Sequence, residues 1–119
     1  MNNKNTGNFG ESIAACYLRC KGYKILERNF LVQGGELDII AEKRGEIAIV
    51  EVKTRKDFSY GDPRDAVNYY KKKNIVFATK CFLKRNSIEG KRVRFDVIEI
   101  ILKKLRINHI KDAFFYHDV

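Results

Sequence analysis

Two runs limit what this chain can fold into: Gly35-Glu36-Leu37-Asp38-Ile39-Ile40-Ala41 and Ile49-Val50-Glu51-Val52-Lys53-Thr54-Arg55. Each reads as a buried strand, yet each carries acidic residues among Ile, Leu and Val. A carboxylate in apolar surroundings is costly unless it is paired, hydrogen-bonded or bound to a metal. Glu51 and Lys53 stand two apart, so they share one side of a strand while Val50 and Val52 take the other. The short Lys43-Arg44-Gly45 link predicts an antiparallel hairpin of the two runs. If the register allows, that hairpin sets Asp38 beside Glu51. Two carboxylates and a backbone carbonyl, that of Val52, make a hard oxygen site suited to Mg2+ or Mn2+. Such an ion stabilises charge on a phosphate and acidifies a bound water, and Lys53 beside it would orient that water or stabilise the phosphate. The competing reading is a cross-strand salt bridge between Lys53 and one of the carboxylates.

The rest of the chain supplies a frame for this hairpin. Residues 8–21 read as a helix, with Phe9, Ile13, Cys16, Tyr17 and Cys20 at helical spacing and Gly22 as a stop. Tyr23 to Phe30, Glu36 to Glu42 and Glu46 to Thr54 read as three strands, with a turn at Gln33-Gly34-Gly35. Residues 56–63 form a loop, and Pro63 opens a long helix to about Arg85. Its apolar stripe runs through Ala66, Val67, Tyr70, Phe77, Ala78 and Cys81. Ile75 and Phe82 lie off that stripe and read as a second core contact, or else as a homodimer surface. Arg92 to Leu102 is a fourth strand and Leu105 to Ile110 a fifth. The order α-β-β-β-α-β-β predicts an α/β fold, a central mixed sheet flanked by helices.

A chain of 119 residues builds one core, so residues 1–119 read as a single domain. The net charge of +9 points to a polyanionic partner. Ten Lys or Arg against two acids fall in residues 64–94, nearly the whole excess. Lys71, Lys72 and Lys73 open the long helix as candidate phosphate contacts, together with Arg55 on the strand; the bland reading is a solvated helix face. The start of the chain lacks a secretory signal, and no apolar stretch approaches a membrane span, so a cytoplasmic protein without a membrane partner is expected. Cys16, Cys20 and Cys81 lack disulfide or zinc spacing and read as small buried side chains. The aromatics Phe58 and Tyr60, just after the acidic strand, either stack on bases or pack on the domain. His109 and His117 have no ligand spacing, and no function is assigned to them.

The two opening runs resemble the YraN-like family of predicted endonucleases. That family belongs to the PD-(D/E)xK, restriction-endonuclease-like superfamily and is distantly similar to archaeal Holliday-junction resolvases. Gly10-Glu11 with Ala14-Ala15, Gly22 to Asn29, Gly61-Asp62-Pro63 before Ala66-Val67, Lys71 and Arg94-Phe95-Asp96-Val97 extend the resemblance over nearly the whole chain. The resemblance implies a restriction-endonuclease-like fold and Mg2+- or Mn2+-dependent hydrolysis of DNA, with branched DNA as the further analogy. By position, Asp38 and Glu51 become metal ligands and Lys53 the catalytic lysine. Leu37 stands where the superfamily's proline would precede Asp38. DNA is preferred over RNA because the relatives act on DNA. The first helix of resolvase-like relatives carries a metal-facing glutamate, which makes Glu11 a candidate, on the side away from the apolar stripe. Against it, Asn8-Phe9-Gly10-Glu11 fits a capping box. Glu36 shares the parity of Asp38 and either leans toward the site or merely opens the strand. The alternatives to an enzyme are a non-catalytic nucleic-acid-binding module of the same fold, or a partner subunit in a repair or uptake complex.

Overall fold

A computed structural model describes residues 3–119. Helix α1 (Asn3–Cys20) leads into strands β1 (Lys24–Val32), β2 (Gly35–Lys43) and β3 (Glu46–Arg55). A 3-10 turn (Pro63–Ala66) precedes helix α2 (Tyr69–Arg85), and strands β4 (Val93–Ile101) and β5 (Arg106–Phe114) follow. The sheet order is β1-β2-β3-β4-β5, with β3 and β4 parallel and the other neighbours antiparallel. The expected α/β fold with a mixed sheet flanked by helices is what the chain adopts.

The β2–β3 hairpin turns through Arg44 and Gly45, at φ +52° and +79°. Two consecutive left-handed residues are what the tightest hairpin turn requires, and they fix the register Lys43↔Glu46 through Ile39↔Val50. The central strands are apolar on both faces because each face has its own core. Ile40, Ile47, Ile49, Phe95 and Val97 pack beneath Ile75, Val76, Ala78 and Phe82 of α2. Ile39, Ala41, Ala48, Val50, Ile98 and Ile100 pack beneath Ala14, Ala15 and Leu18 of α1.

Both helices bury a face that only partly overlaps the stripe their large residues suggest: Ile13 and Tyr17 on α1, and Ala78 and Cys81 on α2, do pack against the cores. On α1 the buried face is Gly10, Ala14, Ala15 and Leu18, while Phe9, Cys16 and Cys20 are exposed. Small side chains win there because the helix lies close on the sheet: a Cβ on Gly10 would stand 1.8 Å from Thr54 Oγ1. Cys16 and Cys20 are therefore not small core residues, whereas Cys81 is half-buried and packs against the core under α2. On α2 the stripe is Ile75, Val76, Ala78, Thr79 and Phe82, and Tyr70 is 75% exposed. Ile75 and Phe82 are thus core residues, which removes the reason to see a homodimer surface there. Pro63 opens only the 3-10 turn; α2 starts six residues later, where the Asn68 side chain accepts from Lys71 N at 2.9 Å. Strand β5 runs on to Phe114, past the expected Ile110. Among the described residues no helix is long and apolar enough to cross a membrane.

Candidate active site

The β2–β3 ladder ends at Ile39↔Val50, one position short of Asp38 and Glu51. There the strands part, and side chains replace the backbone ladder: Val52 N–H donates to Asp38 Oδ2 at 2.9 Å. Asp38 in turn shares a hydrogen bond with Glu51. Glu51 is only 7% exposed, continuing the row of Ile47 and Ile49 on the α2 side of the sheet. Burial, the hydrogen bond that Glu51 donates to Asp38 and that residue's charge push the Glu51 carboxyl up to about 9. Lys71 and Lys53 pull it the other way, Lys71 Nζ lying 3.7 Å from Glu51 Oε2.

Glu11 reaches the same place from α1. Helix α1 begins at Asn3, so Asn8 and Glu11 lie inside it and the capping box does not form. Glu11 sits at the margin of the buried face, beside Gly10 and Ala14, rather than turned away from it. Its Oε1 is buried without a hydrogen-bond partner. Burial first, then the charge of Asp38, raise its carboxyl to about 7; Glu36 adds a smaller push, and Arg28 opposes it. Glu36 itself is exposed, so it acts from outside.

A cleft of about 320 Å³ gathers Glu11, Asp38, Glu51, Val52 and Lys53, with Lys56 and Tyr60 on its walls. Most of the residues singled out in the sequence therefore meet at one place. Among the described residues no three His, Cys, Asp or Glu side chains close into a metal cage by themselves. The acids form a contacting pair, Asp38 and Glu51, with Glu11 lining the same cleft. Glu11 and Glu51 have raised proton affinity and a Glu11 oxygen has no partner, so the site is short of positive charge, and the donor set is all oxygen. Such a set fits a hard divalent cation.

The candidate phosphate contacts diverge. Lys71 faces the acids, Lys72 Nζ lies 5.7 Å from the Phe114 ring centre, and Lys73 is exposed. Arg55 Nε is 3.3 Å from Glu99 Oε2 and its guanidinium lies over the Tyr60 ring at 4.8 Å. It is a braced residue rather than a free donor.

Sequence reasoning passed over a second polar cluster on the α1 side. Asp96 is fully buried and accepts from Arg94 Nε at 2.8 Å, Asp112 N at 3.1 Å and His109 Nε2 at 2.7 Å. Tyr17 OH meets His109 Nδ1 at 3.1 Å, and Arg94 donates to Tyr23 OH at 2.6 Å and to Glu46 Oε1 at 2.5 Å. Every charge in it has a partner, so it ties β4, β5 and the end of α1 together without offering a reactive group. Arg94-x-Asp96, two charges of one parity inside an apolar strand, was the available signal.

Residues 10–100 match the uncharacterised protein family UPF0102. The chain belongs to that family. A UPF0102 protein of Clostridioides difficile (strain 630) is 46% identical over 114 residues, covering 96% of this chain and 100% of its own. One from Pelobacter propionicus is 49% identical, covering 94% and 84%. One from Caldanaerobacter subterraneus subsp. tengcongensis is 43% identical, covering 96% and 98%. The YraN-like resemblance is thus membership of UPF0102, which spans the cleft residues Glu11, Asp38, Glu51 and Lys53.

Proposed function

We propose that this UPF0102 chain is a metal-dependent endonuclease that hydrolyses phosphodiester bonds of DNA. The observation that carries the reading is the convergence of Glu11, Asp38 and Glu51 on one cleft beside Lys53, with a Glu11 oxygen buried and unpartnered. A buried oxygen without a partner is costly, and a bound cation would relieve that cost. Asp38, Glu51 and the Val52 carbonyl would hold a Mg2+ or Mn2+ ion, with Glu11 completing the set. When bound, such an ion would supply charge neutralisation at the phosphate and a more acidic water. The chain's own residues do the rest. Lys53 shares the side of β3 that carries Glu51, so its ammonium faces the attacked phosphate and the incoming water. There it stabilises the extra negative charge of the transition state. Lys71, 3.7 Å from Glu51 Oε2, offsets part of the Glu51 charge. The Asp38–Val52 hydrogen bond fixes the first acid relative to the strand that carries the second.

One feature favours a second reading, a nucleic-acid-binding module that never cuts. That same Asp38–Val52 bond gives the acid a structural task. Cleavage separates the two. Labelled single-stranded, duplex, flap and four-way-junction DNA is incubated with Mg2+, Mn2+ or chelator, using wild type and Lys53→Ala. Cleavage abolished by chelator and cut at least about a hundredfold in the variant is expected. Binding without cleavage of any substrate in either metal leaves the module.

A further inference from the structure

Four aromatic side chains stay out of both cores, one on the wall of the acidic cleft and three within two residues of a side chain that meets it. Phe58, Tyr60, Tyr69 and Tyr70 each expose between 50 and 75% of their surface. Tyr60 lines the cleft itself, and Phe58 lies two residues before it. Tyr69 and Tyr70 directly precede Lys71, whose ammonium is 3.7 Å from Glu51. They pack edge to face, 5.6 Å between ring centres at 82°, so each limits the other's rotation. The Arg55 guanidinium, held by Glu99, braces Tyr60 at 4.8 Å and still leaves that ring 54% exposed.

We propose that the cleft takes its DNA through unpaired nucleotides, whose bases stack on Tyr60 and Phe58 on one flank and on Tyr69 and Tyr70 on the other. This deepens the nuclease reading and rests on it, because it assumes that the cleft handles DNA phosphates. Cations alternate with the rings: Lys53 and Lys56 line the cleft, and Lys71 follows the tyrosine pair. Rings for bases and ammonium groups for the backbone between them are the two components of single-strand recognition. A paired, stacked duplex presents base edges and phosphates, but no base face, to a flat ring. Braced rings beside a cutting site therefore select strands that have already come apart, such as a single strand or a flap. A blunt duplex or a fully paired four-way junction offers them nothing to cover.

The test measures binding in chelator, so that no strand is cut, with the full chain and fluorescein-labelled DNA read by polarisation. The probes are a short single strand, the blunt duplex of that sequence, the duplex with a single-stranded flap, and a fully paired four-way junction. Tyr60→Ala, Tyr69→Ala and Tyr70→Ala are compared with the matching Phe variants, all verified as folded by circular dichroism. Single strand and flap are expected to bind at least about tenfold tighter than duplex or junction. Each Ala variant should lower single-strand affinity by roughly five- to a hundredfold, with Phe restoring it and duplex affinity unmoved. Equal or tighter binding of the duplex overturns the proposal. So does a loss spread evenly over all four probes, or the absence of DNA binding altogether. A chain that cuts duplex in a Lys53-dependent way without this preference keeps the nuclease reading and loses the present one. A chain that shows the preference and never cuts does the reverse.

Discussion

Glu51 is almost wholly buried beside Asp38, and its protonation sets a measurable sign. Its folded carboxyl sits at about 9 against an ordinary 4.5, so the folded state holds a proton that the unfolded state releases. Between those values stability must fall as pH rises. Glu11, at about 7, acts in the same direction over the lower part of the window. Asp96 acts oppositely: its carboxyl lies below the usual 3.8, so what it contributes is lost only in stronger acid. Thermal melts in chelator should therefore drop between pH 6 and pH 9 for wild type. Glu51→Gln should melt higher than wild type at the alkaline end and flatten the slope. Added Mg2+ should raise the wild-type midpoint more at the alkaline end and leave Glu51→Gln nearly unmoved. A wild-type midpoint that climbs over the same range would contradict the burial argument. At this scale much of the site was legible in the sequence. Asp38, Glu51 and Lys53 are charges at fixed parity in apolar strands, and strand parity is a local property. Asp96 and His109 were not legible as a pair, because only the antiparallel pairing of β4 with β5 brings them together.

The elements show why periodicity misjudged the helix faces. Counting large apolar residues selects Phe9 and Cys16 on α1, and Tyr70 and Phe77 on α2, all of which face outward or nearly so. The sheet instead selects for closeness. At Gly35 a Cβ would come within 2.4 Å of the Asn74 carbonyl oxygen of α2, a backbone atom that cannot swing aside. Gly35→Ala must therefore lift α2 from β2. It should cost about 1–3 kcal/mol in urea unfolding, whereas Gly61→Ala, with open space around it, should cost far less. Equal stability of the two variants would show that α2 is not seated as tightly as it looks. Strand positions were easier to read than helix faces because a strand alternates every residue. A helix face is chosen by what lies beneath it, which the one-dimensional pattern does not contain. The 3-10 turn at Pro63–Ala66 was missed for a related reason. Proline suits the first turn of any helix, and only the Asn68 cap marks where the longer one begins.

The whole molecule spreads its net charge of +9 unevenly, with α2 carrying cations from its first turn to its last. Polyanion binding through such a helix releases counterions, so affinity should fall steeply and linearly on a log–log salt plot. If the proposed DNA lies along this helix, Lys73→Ala should reduce that slope by about one, whereas Lys71→Ala, which removes the partner of Glu51, should reduce it less. Lys72, held over the Phe114 ring, should reduce it less. A slope unchanged in all three would place the DNA on another face. The fold was legible at this scale in its order of elements and its mixed sheet. The two-core arrangement follows from the apolar β3 and β4, which no single layer of helices could have covered.

The tight Arg44–Gly45 turn has an effect well beyond the hairpin it closes. The register that turn imposes sends Ile47 and Ile49 into the core and, two residues further along the same row, delivers Glu51 and Lys53 to the cleft. A deletion or insertion of one residue there would exchange the rows. Val50 would take the place of Glu51, and Glu51 would be driven into the apolar layer under α1. The cleft and the fold would fail in the same step. Quality control that merely degrades misfolded chains therefore also polices the geometry of the cleft, without ever sensing whether the protein works.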